Sequence, residues 1–311
     1  MSTTVTASQV GITPQRTRRR PNPAPYLFML PFGLLFVLFY IGPIAYAAYS
    51  SLFQMKRSGL GFGTARLTFV GADNYLRALA DPGFVNGITR VLTYGVVQVP
   101  VMLGLALAIA LVLDELTTWI GRFARAAAFL PYTVPSVVGA MIWGFLYEPS
   151  LSPVIKLIHQ WHLAQPDFLS GDAILWSIAN IATWQWTGYN MLILFAALQT
   201  LPREHYEAAR IDGCNGLRLA WHIKIPAILP ALVMNALMSI IGTLQLFNEP
   251  AILKQISTSV SADFTPNLYA YNVAFANNDY HYAASLAVML ALVTFAFSYL
   301  FMRLVRRYSG V

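Results

Sequence analysis

Charge is absent from six long stretches of this chain: 21–55, 91–113, 126–147, 173–202, 225–248 and 280–302, the shortest of them 22 residues. A helix rises about 1.5 Å per residue, so about 20 apolar residues cross a hydrocarbon core of about 30 Å. Each stretch is therefore long enough to cross. The crowding has a compositional cause: only 11% of the residues are charged and 57% are hydrophobic, whereas an ordinary soluble chain is about 25% charged. This excludes a soluble globular enzyme, a nucleic-acid-binding domain and an intrinsically disordered protein. The expectation is an all-α, polytopic membrane protein with six transmembrane helices.

The boundaries follow the same pattern. Residues 1–25, rich in Thr, Arg and Pro, read as a disordered tail. Residues 26–55 form the first transmembrane helix, too long for the 7–15-residue core of a cleaved signal. An external loop with one short helix near 72–80 occupies 56–88. Residues 89–305 hold the other five helices and the connection 203–226, and 306–311 form a second tail.

Lys and Arg favour the cytoplasmic side. Thirteen of the 20 fall in the N-terminal tail, the connections after the second and fourth spans, and the C-terminus; seven fall on the other face. Both termini are thus expected in the cytoplasm, and the net charge of +7 is read as topology, with no nucleic-acid partner. The acids lean outward, among them Asp81, Glu249, Asp263 and Asp279. Arg16–Arg20 can anchor topology or touch anionic membrane lipid.

Energy-supplying chemistry is missing. A P-loop requires Gly directly before its Lys, and the four lysines follow Met55, Ile155, Ile223 and Leu253. Ion-coupled carriers commonly place charges within their spans, which argues against an ion-coupled secondary carrier without removing it. The five histidines (His159, His162, His205, His222 and His281) lack carboxylates at metal-ligand spacing, and the single Cys214 excludes an internal disulfide. No G-x-S-x-G elbow occurs. The chain is expected to be no enzyme and to bind no cofactor or metal.

One cytoplasmic connection is organised. Pro202 suits the first turn of a helix, Glu204 and Glu207 favour its early dipole, and Gly213 supplies a left-handed stop. A second short helix over 216–223 precedes Pro226. Ala208 and Ala209 leave a low surface for another protein to approach; an ordinary structured loop fits these residues equally well.

These residues resemble the EAA motif of ABC-importer permeases. Glu207-Ala208-Ala209, Asp212-Gly213, Ile223 and Pro226 match E-A-A-x3-G-x9-I-x-L-P, with Ile225 in place of Leu. Leu244-Gln245-Leu246-Phe247-Asn248-Glu249-Pro250 and Thr265-Pro266-Asn267-Leu268-Tyr269 are similar to the MetI-like inner-membrane components of the carbohydrate-uptake group, the maltose type. Leu253-Lys254-Gln255-Ile256 replaces that group's Gly-rich turn. The resemblance implies the type I importer permease fold in a prokaryotic inner membrane, with a cytoplasmic coupling helix. It further implies a second homologous permease, a dimer of ATPase subunits that holds ATP and Mg, and an extracytoplasmic binding protein. Glu207, Ala208, Ala209, Asp212, Gly213, Ile223 and Pro226 would meet the ATPase. The cargo would be a sugar or oligosaccharide, with glycerol phosphate or a polyol as the alternative.

A sugar requires hydrogen-bonding groups and aromatic faces within the bundle. Span four offers Trp184, Trp186, Tyr189 and Asn190. Span five offers Asn235, Ser239 and Thr243 at helical spacing, followed by Gln245 and Asn248. Asn190, Asn235 and Gln245, with Trp186 as a stacking surface, are the candidate substrate ligands; interhelical packing explains any one of them as readily.

Overall fold

The computed structural model describes residues 24–57, 65–116, 118–161 and 166–309. Most of the 1–25 segment with Arg16–Arg20, the glycines Gly59, Gly61 and Gly63, His162 and the last two residues lie outside the described residues.

Helix α1 (Ala24–Phe36) passes through a π turn at Val37–Ile41 into α2 (Gly42–Ser50). Together they give an apolar run, Tyr26–Ser50, whose large side chains are exposed. The following segment is not only loop and helix. Strand β1 (Phe53–Arg57) pairs antiparallel with β2 (Ala65–Phe69), Phe53 opposite Phe69 and Arg57 opposite Ala65. The Phe53 and Phe69 rings meet edge-on at 5.4 Å, a cross-strand aromatic pair that fixes the register. Helix α3 (Asp73–Ala80) occupies the predicted place. Asn74 within it donates to the carbonyls of Ser51 and Phe53, both at 2.8 Å, which ties the helix to the hairpin.

Helix α4 (Pro82–Glu115) begins well before its charge-free stretch. Asp81 is the reason. One of its oxygens caps Gly83 N at 2.9 Å, and the other accepts the hydroxyls of Tyr269 and Tyr282 at 2.7 Å each. Burial works against the charge, but these hydrogen bonds prevail and hold the Asp81 carboxyl below the usual range. Burial, then the bond to Asp81, pushes Tyr269 up to about 12. Arg90 is carried inside the helix because its guanidinium donates to the Phe264 carbonyl at 2.7 Å and lies over that residue's ring.

The third charge-free stretch is a corrected expectation, since it is not one straight helix. Helices α5 (Trp119–Thr133) and α6 (Ser136–Tyr147) meet at 94°. Pro131 and Pro135 bracket the break, and each proline removes a helical N–H and crowds the preceding turn. The Val134 carbonyl at the corner accepts Gln185 Nε2 at 2.8 Å. Helix α7 (Pro153–Gln160) follows, then α8 (Ile174–Leu198). At about 37 Å, α8 is long enough to cross, but Trp, Gln, Asn and Thr keep it less apolar than the others. Among the described residues four helices are long and apolar enough to span a membrane, five if the bent pair counts as one; the six charge-free stretches therefore do not all appear as uniform apolar rods.

The remaining elements are α9 (Arg203–Ile211), α10 (Gly216–Leu219), a π turn at Ala220–Lys224, α11 (Ile225–Ala227), α12 (Leu229–Leu244), α13 (Asn248–Leu253), α14 (Pro266–Phe275) and α15 (Tyr280–Ser309). Helix α8 is central, packing on α4, α5, α12, α6 and α13. The closest approach is at Gly188, where a Cβ would lie 1.9 Å from the Ala128 carbonyl of α5. Near one end of the α4–α8 pair, Ala106, Ala110, Leu113, Met191, Leu194 and Leu198 form a core with Ile228. Toward the other end, Tyr94, Ile174, Ile178 and Ile181 pack with Leu246, Leu253 and Phe264.

Candidate functional site

Between the two cores lies a cavity of about 230 Å³, lined from α4, α6, α8, α12 and the turn before α13. Three of the four predicted ligands converge on it: Trp186, Asn190 and Gln245. Ser239 and Thr243 join them, four residues apart on one face of α12. Asn235 itself does not line the space. It is buried and donates to the Asn190 carbonyl at 3.2 Å, so it braces the residue that does. Asn190 Nδ2 bonds the Trp186 carbonyl at 3.0 Å and touches Met102 Sδ at 3.7 Å. Asn248 Nδ2 donates to Ser136 Oγ at 2.7 Å, linking α13 to the start of α6.

The aromatic surface is larger than Trp186 alone. Tyr132 stacks on Tyr189 at 4.7 Å, and Trp186 meets both edge-on, at 5.3 and 5.9 Å. Trp184 turns the other way and pairs with Trp143. Tyr94, Gln98 and Met102 escaped the sequence reading, although their spacing of four along α4 and the lone Gln in an apolar span were the signal. Glu249 requires a correction. It does not sit in a solvated outer loop: it is 6% exposed and lines the cavity. The residue count placed it at the end of a span, but the apolar run continues from Leu229 through α13 to Leu253, so Glu249 lies within the run and not at its edge. No Lys, Arg or His lines the cavity among the described residues.

A second centre surrounds the predicted motif. Helix α9 ends as the sequence requires: Gly213 has φ +83°, Gly213 N bonds Arg210 O at 3.1 Å, and Cys214 N bonds Ala209 O at 2.9 Å. That pair of bonds is the Schellman closure. Glu204, Glu207, Ala208 and Ile211 share the exposed face, Ile211 being 87% exposed. Asp212, Gly213 and Pro226 are also exposed and Ile223 is half-buried. Ala209 is corrected: the helical period turns it, with half-buried Tyr206, toward the body of the chain, so it is buried and offers no surface. Leu217 and Trp221 were missed; both are large, apolar and exposed beside the motif.

Beneath α9 sits a charge cluster that sequence reading did not assemble. Lys224 Nζ lies 2.6 Å from Asp114 Oδ2 and 2.5 Å from Glu115 Oε1. Arg210 Nη2 reaches the other Glu115 oxygen at 3.0 Å, and Gln199 Nε2 the other Asp114 oxygen at 2.7 Å. Burial opposes the Lys224 charge, but the bonds to Asp114 and Glu115 outweigh it and raise its pKa, so the ammonium stays protonated.

The family described as binding-protein-dependent transport system inner membrane component matches residues 101–310. The probable ABC transporter permease protein YurN of Bacillus subtilis is 30% identical, over 90% of this chain and 94% of that one. The arabinooligosaccharides transport system permease protein AraP of the same organism is 28% identical, over 92% and 90%. The lactose transport system permease protein LacF of Rhizobium radiobacter is 30% identical, over 88% and 91%. Among solved structures, a bacterial alginate ABC transporter in complex with an alginate pentasaccharide-bound periplasmic protein superposes with a TM-score of 0.79. It covers 92% of this chain and 95% of that one at 18% identity, a likeness of fold.

Proposed function

This chain belongs to the binding-protein-dependent transport system inner membrane components, multi-pass membrane permeases, and from that premise we propose that it carries a neutral sugar or oligosaccharide across the membrane. The observation that carries the cargo assignment is the cavity. Asn190, Ser239, Thr243 and Gln245 supply amides and hydroxyls beside the rings of Trp186 and Tyr189, which Tyr132 packs against. Sugars are held by such a mixture, with C–H faces against rings and hydroxyls against amides. Relatives named for arabinooligosaccharide and lactose transport support it. Others are named for sn-glycerol-3-phosphate, but a phosphate would face Glu249 with no cation on this side of the site.

The mechanism we propose is alternating access. A pair of ATPase subunits, which hold ATP and Mg, docks on Glu204, Glu207, Ala208 and Ile211 of α9. Gly213 holds that helix at its angle, and Asp212, Ile223 and Pro226 complete the loop. A second, homologous permease faces this one across the cargo path, and an extracytoplasmic binding protein delivers the sugar. Six crossings are assigned by letting the bent α5–α6 pair and the partly polar α8 count as spans. Both termini then lie in the cytoplasm, as the basic residues favour. The chain itself is a conduit with no reaction of its own.

The test is reconstitution with the partner subunits in liposomes. Uptake of a radiolabelled neutral oligosaccharide should require ATP and the binding protein, and Glu207→Ala combined with Ile211→Asp should abolish ATPase co-purification. Uptake that follows a proton or sodium gradient without ATP would overturn the reading.

A further inference from the structure

Four charges and two further side chains meet where four separate segments converge. Asp114 and Glu115 close α4, Gln199 follows α8, and Lys224 ends the π turn that leads to α12. Arg210 and Tyr206 come from α9. The Lys224 side chain is 3% exposed and that of Asp114 6%, so this half of the cluster is inside the protein, whereas the Arg210–Glu115 half is open to solvent. The Tyr206 ring centre lies 5.0 Å from Lys224 Nζ, and its hydroxyl reaches toward the Leu198 carbonyl of α8 at 3.5 Å. Every carboxylate oxygen of Asp114 and Glu115 therefore has a partner, and the formal charges of the four ionic groups cancel.

Such an arrangement resists one kind of motion and permits another. Separating buried opposite charges is costly, since each would be left unpaired in a medium of low dielectric, and that cost ties Lys224 to Asp114 at the end of α4. A displacement of α9 that left α4 and α8 behind would have to draw Arg210 from Glu115 and Tyr206 from Lys224. A displacement that carries all three together breaks nothing. Apolar contacts alone would let α9 slide, because they have no preferred partner. Resting on the coupling role assigned to α9 above, we propose that Lys224 is a positioning residue: the joint through which movement of α9 is passed to the paired helices α4 and α8, and so to the cargo cavity at their middle.

The joint differs from a mere anchor in what its loss changes. An anchor sets how much assembled protein exists; a joint sets how much cargo moves for each ATP hydrolysed. The experiment uses the full importer in liposomes, with cargo uptake and phosphate release measured on the same sample and normalised to the assembled complex. Three variants separate the parts: Arg210→Glu, Lys224→Met, and the conservative Arg210→Lys. The exposed Arg210 pair contributes little to stability, so Arg210→Glu should assemble normally. Its cargo-to-ATP ratio should fall on the order of tenfold, within the usual range for coupling between sites. Arg210→Lys, which keeps a cation facing Glu115 and leaves the Glu115–Lys224 bond intact, should retain most of the wild-type ratio. Lys224→Met should give a lower ratio still, whatever its yield. If Arg210→Glu and Lys224→Met keep the wild-type ratio, or Arg210→Lys loses as much as Arg210→Glu, the joint assignment is wrong. A wild-type complex that fails to assemble or to use ATP refutes the importer reading itself and takes the joint with it.

Discussion

The polar cavity and the Lys224 cluster are built from the same pieces of chain and have opposite characters. Helix α4 contributes Tyr94, Gln98 and Met102 to the first and Asp114 and Glu115 to the second; α8 gives Trp186 and Asn190 to one, and Gln199 follows it into the other. In the cavity the polar groups are mostly neutral amides and hydroxyls with bonding capacity left over. In the cluster each carboxylate oxygen is matched. Spare capacity suits a site that must bind and release, because a transient ligand completes it. Saturation suits a part that must not come apart, because nothing is gained by opening it.

The contrast can be broken from either side. The largest effect belongs to Asp114→Ala, which leaves the buried Lys224 with its exposed partner only; removing one member of a buried pair costs about 3–5 kcal/mol. Thermal unfolding in detergent should show it. Gly188→Val comes next, because its Cβ would collide with the backbone of α5; overpacking costs about 1–3 kcal/mol or more, read by the same assay. Trp186→Ala should leave the unfolding temperature near wild type and weaken the apparent affinity for sugar about tenfold, roughly 1.4 kcal/mol. A polar wall with spare capacity loses ligand, not fold. Arg210→Gln should change stability by less than about 1 kcal/mol, since that pair is exposed.

Asp81, at the far end of α4, is a third polar centre and sharpens the contrast through pH. Its carboxyl sits below its unfolded value of about 3.9, so its contribution is present above that pH and fades as pH falls through the lowered value. Asp81→Asn should flatten the loss of stability below about pH 4, with no change near neutrality in how the protein responds to pH.

What the sequence disclosed, and what it hid, follows from the range of each interaction. Helices, the stop at Gly213 and the short helix at 73–80 are local, set by charge spacing and by single residues. That Trp186, Asn190 and Gln245 line the cavity was legible because polar groups in apolar spans must face inward. The Lys224 cluster was hidden because Asp114 lies 110 positions away and only packing joins them. Ala209 was misjudged because an alanine pattern does not say which face is covered. Glu249 was misplaced because a charge count treats every charge as the edge of a span. The two prolines that break α5 from α6 were in plain view, but an uncharged stretch was read as an unbroken one.

That bend has a mechanical consequence. The Val134 carbonyl at the corner is held by Gln185, a side chain of the central helix, and Gly188 sets α8 directly against α5 three residues further on. Opening the angle would strand a carbonyl away from water, which costs several kcal/mol within a bilayer. The corner is a weld rather than a hinge. Helices α5, α6 and α8 are then one stiff frame, and any movement passed to α8 must carry that frame as a whole.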